Sequence, residues 1–138
     1  MKNIVVDASI ALSFCLEDER NEEATVLLSS LDKYKIIAPP HWWAEMVNGL
    51  LMAERRKRIN AAERDEAMQQ LMGLDPEIIS IPPAEFAEKI VPLASSHKLT
   101  SYDACYLYLA IKEKAKLATL DKALRQAASK AGAVVFSK

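Results

Sequence analysis

The chain has 138 residues, 51% of them hydrophobic and 27% charged, a composition that excludes a disordered tail and fits an ordinary globular protein. At this length about two-thirds of the unfolded surface is buried on folding, so a core forms without a disulfide or zinc staple. Lys+Arg 18 against Asp+Glu 19 leaves a net charge of −1, which excludes a protein that coats nucleic acid by bulk charge but not one with a local basic patch.

Asn3 to Val6 is a short β-branched run, the pattern of a strand buried on both faces, and Asp7 ends it too early for a secretory leader. Ala8 to Leu16 reads as a helix. The acidic stretch Glu17, Asp18, Glu19, Glu22 and Glu23 suits the start of a second helix, which carries Ala24, Leu27, Leu28 and Leu31 at helical spacing. Lys35 to Ala38 is a second strand, stopped by Pro39-Pro40, and a long helix runs from there to about Arg56. Asn60 to Leu74 is another amphipathic helix, and Ile78 to Ile81 a third strand closed by Pro82-Pro83.

Ala84 to His97 is predicted helical with a kink at Pro92, and Ser101 to Lys116 is the most apolar helix. Leu117 to Leu120 is a fourth strand, Lys122 to Lys130 a helix stopped at Gly132, and Ala133 to Phe136 a last strand. Strands of four or five residues alternating with helices imply a parallel sheet covered on both sides, and residues 1–138 read as one domain. No stretch approaches the ~20 apolar residues of a membrane span. Cys15 and Cys105 have no metal-ligand spacing and read as buried thiols of a reducing cytoplasm.

In such a sheet, ligands bind beyond the carboxyl ends of the strands. Asp7 follows the first strand and Asp121 the fourth, while Asp103 stands near the start of the apolar helix and Glu45 one to two turns into the helix after the second strand. Each has a structural reading: Asp7 and Asp121 as helix N-caps, Asp103 as part of a capping box with Thr100, Glu45 as a solvated helix residue. The wheel places Glu45 on a stripe with His41, Trp42, Asn48, Gly49, Met52 and Arg56, away from a core face of Trp43, Val47 and Leu50. A carboxylate inside the apolar run from Tyr102 to Ala110 needs compensation, however. Several acids meeting at one sheet edge repel one another unless a cation holds them ionised. All-oxygen donors favour Mg²⁺ or Mn²⁺ over zinc and suit phosphoryl chemistry.

The segments Val5-Val6-Asp7-Ala8-Ser9, Pro40 with Glu45-Met46-Val47-Asn48, Leu99 to Ala104 around Tyr102-Asp103, and Leu117 to Asp121 around Thr119 resemble the PIN-domain ribonucleases. The likeness is greatest to the VapC-type toxins of toxin–antitoxin pairs, in order and in spacing along the whole chain. The resemblance implies a three-layer α/β/α sandwich with a mainly parallel sheet of about five strands, and a Mg²⁺- or Mn²⁺-dependent endoribonuclease site. It carries metal ligation to Asp7, Glu45 and Asp103, a more variable fourth acid to Asp121, and site-ordering hydroxyls to Ser9 and Thr119. The expected chemistry is hydrolysis of an RNA phosphodiester by metal-activated water, leaving 5′-phosphate and 3′-hydroxyl ends. The implied partners are RNA, a cognate antitoxin whose C-terminal segment packs between the early helices, and a second copy of the chain.

Arg55, Arg56, Lys57 and Arg58 form the one dense basic cluster; the dipole at a helix C-terminus accounts for it, or Arg56 contacts RNA or an antitoxin. Lys112, Lys114, Lys116, Lys122 and Arg125 read as solvated surface. Tyr102, Tyr106 and Tyr108 read as core packing rather than base stacking, and His41 and His97 as structural. Phosphoacceptor regulators and aspartate-nucleophile phosphatases fit poorly, since residue 9 is Ser and the third strand ends in Ile81-Pro82-Pro83. A noncatalytic RNA- or protein-binding module, or a housekeeping RNA-processing nuclease, remains as an alternative.

Overall fold

A computed structural model describes residues 1–137. The chain order is β1 (Lys2–Val6), α1 (Ala8–Cys15), α2 (Glu22–Ser30), β2 (Tyr34–Ala38), α3 (Trp42–Arg55), α4 (Ala61–Gly73) and β3 (Glu77–Ile78). It continues through α5 (Pro83–Glu85), a π-turn (Phe86–Ile90), α6 (Val91–His97), α7 (Ser101–Lys112), β4 (Lys116–Ala118) and α8 (Lys122–Lys130). The strands are parallel in the order β3-β2-β1-β4, with α1 to α4 packed on one another, α5 to α8 on one another, and the helices flanking the sheet.

The helix starts follow from side-chain chemistry. Asn21 accepts from the amides of Glu23 and Ala24, Asn60 and Glu63 form a reciprocal capping box, and Thr100 accepts from the Asp103 amide at 3.1 Å. Ile4, Val5 and Val6 on β1, with Ile36, Ile37 and Ala38 on β2, are all buried, as a sheet covered on both faces requires.

The structure corrects several expectations. The sheet has four strands rather than about five: the expected last strand, Ala133 to Phe136, shrinks to a single parallel bridge between Leu117 and Val135. β3 keeps two residues, because Pro82 and Pro83 cannot donate to a ladder and the chain leaves the sheet ahead of them. The most apolar helix ends at Lys112, not Lys116; Lys114 takes a left-handed φ of 52° and Lys116 already belongs to β4. Pro92 produces a π-turn rather than a simple kink. It has no N–H and its ring crowds the carbonyl four residues back, so one residue is accommodated and the Val91 amide reaches Phe86 O instead.

The buried face of α3 is also rotated from the expected one. Trp42, Met46, Leu50 and Ala53 point inward, Trp43 is half-buried and Val47 is exposed. The indole N–H of Trp42 donates to the Val6 carbonyl at 2.9 Å, a partner available only inside, and that bond sets the phase. Glu17–Glu19 forms its own 3₁₀ turn rather than opening α2, and Asp18 and Glu19 bind Arg58 at 2.8 and 2.5 Å. Cys105 is buried and Cys15 half-buried; both thiols are free, and burial pushes each up to about 11.

Candidate active site at the carboxyl edge of the sheet

The chain runs from β1 outward to β2 and β3, then returns to place β4 on the other side of β1. The strand order reverses between β1 and β4, which in open α/β sheets is the point where ligands bind. Register decides what stands there. Val6 pairs with Ala118, the Asp7 amide donates to Ala118 O at 3.1 Å, and Thr119 lies beside Asp7.

Asp7 is the centre of this edge. It is only 4% exposed, and both carboxylate oxygens are occupied. Oδ1 accepts from Ser9 Oγ at 2.6 Å and, as the cap of α1, from the Ile10 amide at 3.1 Å; Oδ2 accepts from the Thr119 hydroxyl. Thr119 Oγ1 takes the Asp121 amide at 3.0 Å, and Ser9 Oγ takes the Leu120 amide at 2.9 Å. These bonds stitch the turns after β1 and β4 into one unit. Burial raises the Asp7 carboxyl to about 6, against the lowering effect of its hydrogen bonds, and the Asp103 charge adds to the rise.

The other acids arrive from three helices. Asp121 caps α8 by accepting from the Leu124 amide at 3.0 Å. Asp103, half-buried in the first turn of α7, is raised by burial and by the charges of Asp121 and Glu45. Glu45 on α3 is the exception: burial would raise it, but His41 and Tyr106 outweigh that and hold it below the ordinary range. Tyr106 OH donates to Glu45 Oε1 at 2.7 Å, and His41 Nε2 lies 3.2 Å from the same oxygen without forming a well-aligned hydrogen bond. Asp103 is the acid that links the four, sensing the charges of Asp121 and Glu45 and adding to the rise of Asp7.

Four carboxylates with buried hydroxyl support fit a hard divalent cation in donor chemistry; Asp7 and Asp103 are raised chiefly by burial, with neighbouring acid charge adding to it. Among the described residues, however, no three His, Cys, Asp or Glu side chains are gathered closely enough to hold an ion together.

The structural reading of Asp7 and Asp121 holds, since each caps the helix that follows its strand. Arg56 stands exposed at the end of α3. Three contributors escaped the sequence reading. Tyr106 is in the core as expected, yet its hydroxyl serves Glu45; it lies three residues after Asp103 and so on the same helix face, the one available signal. His41, four residues before Glu45, packs edge-on against Tyr106 and Tyr102. Arg125, expected on the solvated surface, donates to Thr119 O at 3.0 Å and pairs with Glu23 at 2.9 Å. Tyr102, expected in the core, is 58% exposed at this edge.

Fold and site together define a parallel α/β domain with an acidic crevice of the kind that serves phosphoryl chemistry. The PIN domain family model matches residues 4–130, and the chain belongs to that family. It is 31% identical over 123 residues to Ribonuclease VapC3 of Pyrobaculum aerophilum, covering 89% of this chain and 92% of the relative. The crystal structure of PAE2754 from Pyrobaculum aerophilum superposes with a TM-score of 0.71 at 21% identity, covering 97% of this chain and 83% of that one. FitAcB from Neisseria gonorrhoeae gives 0.67 at 20% identity, covering 97% and 96%.

Proposed function

We propose that the protein is a divalent-metal-dependent endoribonuclease and the toxin of a toxin–antitoxin pair, acting in the cytoplasm as one nuclease unit over residues 1–138. The observation that carries this is Asp7, buried beside Thr119 at the carboxyl ends of β1 and β4 and charge-coupled to Asp103. The 31% identity to a ribonuclease supports RNA as the substrate. Asp7, Glu45, Asp103 and Asp121 would hold Mg²⁺ or Mn²⁺, which when bound supplies Lewis acidity at a phosphodiester and a more acidic water. Ser9 and Thr119 fix the orientation of Asp7, while Tyr106 and His41 fix that of Glu45.

An antitoxin partner is supported by the groove between α1, α2 and α4. Phe14, Cys15, Leu28, Gln70, Leu71 and Leu74 line about 270 Å³ there, enough for apolar side chains of a docked segment. Arg56 is placed to meet RNA phosphate or an acidic antitoxin residue. A homodimer is supported by exposed Val91 and Phe86 on the α5–α6 segment.

The spread of the acids favours one second reading, a noncatalytic binding module. Cleavage of a mixed RNA pool by the wild type, Asp7→Asn and Asp103→Asn, with Mg²⁺ or Mn²⁺ and with excess chelator, separates the two. Cleavage that needs metal and both aspartates supports the nuclease. Folded, inhibitor-free protein that leaves RNA intact supports the module.

A further inference from the structure

We infer that the protein carries a second binding site, for a small amphipathic anion, at the end of the sheet opposite the acidic crevice. A cavity of about 490 Å³ opens there, within the range of small-molecule sites. It is walled by the starts of β1, β2 and β4, the end of α7 and the segment around Gly132 to Val134. Ala110, Ile111, Ala115, Ala133 and Val134 make it largely apolar, and Ala110 and Ala115 are buried in its floor.

The charged groups in this wall carry one sign. Lys2, Lys114 and Lys116 line it, and no Asp or Glu does. Among the described residues none of the three is ion-paired with a carboxylate, whereas Lys35 and Lys112 are. Lys116 is the telling one. It is half-buried, and among the described residues its ammonium meets the Tyr34 hydroxyl, at a long 3.5 Å, and the face of the Tyr34 ring, 5.9 Å from the centroid. A partly desolvated cation with a neutral partner and an empty apolar flank is stabilised by an anion that brings its own apolar body. Tyr34 OH accepts from Lys116 and still has a proton to donate to the same anion.

Charge complementarity and cavity size therefore select a carboxylate or phosphate ester carried on a ring or short branched chain. This site is independent of the nuclease reading. It shares with the crevice only the two strands, β1 and β4, whose other ends carry Asp7 and Thr119.

The test is an amide chemical-shift titration of the ¹⁵N-labelled protein with 3-phenylpropionate, phenyl phosphate and the neutral 3-phenylpropan-1-ol. We expect saturable shifts at Tyr34, Ile111, Lys114 to Lys116 and Val134 with at least one anion, and binding of the alcohol about tenfold weaker. The tighter anion tells whether carboxylates or phosphate esters are the natural class. Lys116→Met should weaken the anion about tenfold and leave the alcohol unchanged. Lys114→Gly, which relieves a left-handed backbone and so keeps the fold, should weaken it by a smaller factor. No saturable shift with either anion, equal affinity for the alcohol, or shifts confined to the acidic edge would overturn the inference.

Discussion

Asp7 carries two duties that pull against each other. As a helix cap with its oxygens hydrogen-bonded it is structurally well used, yet burial among other acids makes its charge costly. Its carboxyl rises from the usual 3.8 to about 6, so the folded state binds the proton more tightly than the unfolded state. The stabilisation that this preference represents is complete below about pH 3.8 and is lost as pH rises through about 6, amounting to about 3 kcal/mol. In chelator, therefore, urea unfolding should show the wild type losing stability from pH 5 to pH 7.5, and Asp7→Asn should flatten that loss. Asn still caps the helix, so the variant should be at least as stable as the wild type at pH 7.5 while losing RNA cleavage. A variant that unfolds more easily at pH 7.5 in chelator contradicts the cost assigned here. The mirror experiment adds Mn²⁺: the melting temperature of the wild type should rise, and that of Asp103→Asn should not.

Tyr106 makes a second prediction at this scale. Tyr106→Phe keeps the buried ring and removes the only well-formed hydrogen bond to Glu45, at a cost of about 1 kcal/mol in stability. Cleavage should fall about tenfold through kcat, because Glu45 loses its position rather than the substrate losing a contact. A change in KM alone would argue that Tyr106 meets RNA instead.

Among the elements, α3 is tied to the sheet by its buried face and by the inward bond from Trp42 to Val6 O, whereas the 3₁₀ turn at Glu17–Glu19 is held by surface charge on Arg58. The two should respond differently. Trp42→Phe strands a buried carbonyl and thins the core, so a loss of about 2–3 kcal/mol is expected in urea unfolding. Arg58→Ala breaks two contacts that water can replace and should cost less than about 1 kcal/mol, its effect appearing as faster amide exchange at residues 17–21.

At the scale of the whole molecule, the outer edge of β4 is thinly covered. One bridge covers it, through the Leu117 amide to Val134 O and the Phe136 amide to Leu117 O, with Phe136 7% exposed as the anchor. Phe136→Ala should cost about 3 kcal/mol and uncover an unpaired parallel edge, so light scattering during thermal unfolding should begin earlier than in the wild type. Unchanged stability would mean that the C-terminal segment is an ornament of the fold.

The alternation of β-branched runs and helical spacing contained the parallel α/β architecture, because burial on both faces leaves a strand no polar side to show. Asp7, Glu45, Asp103 and Asp121 were likewise legible as residues whose positions, after strands and at helix starts, send them toward one edge. Other features were written only in three dimensions. The length of β3 and the loss of the fifth strand depend on how many ladder bonds survive beside proline and at an edge, which local propensity does not record. The phase of α3 depended on which tryptophan found a carbonyl inside. Tyr106 joins the site through a partner 61 residues distant, Arg125 ties the turn after β4 to Glu23 102 residues away, and Tyr102 stays outside despite its apolar neighbours. Periodicity tells a residue which face it shares with its neighbours; which partner waits on that face is decided by the chain crossing back from elsewhere.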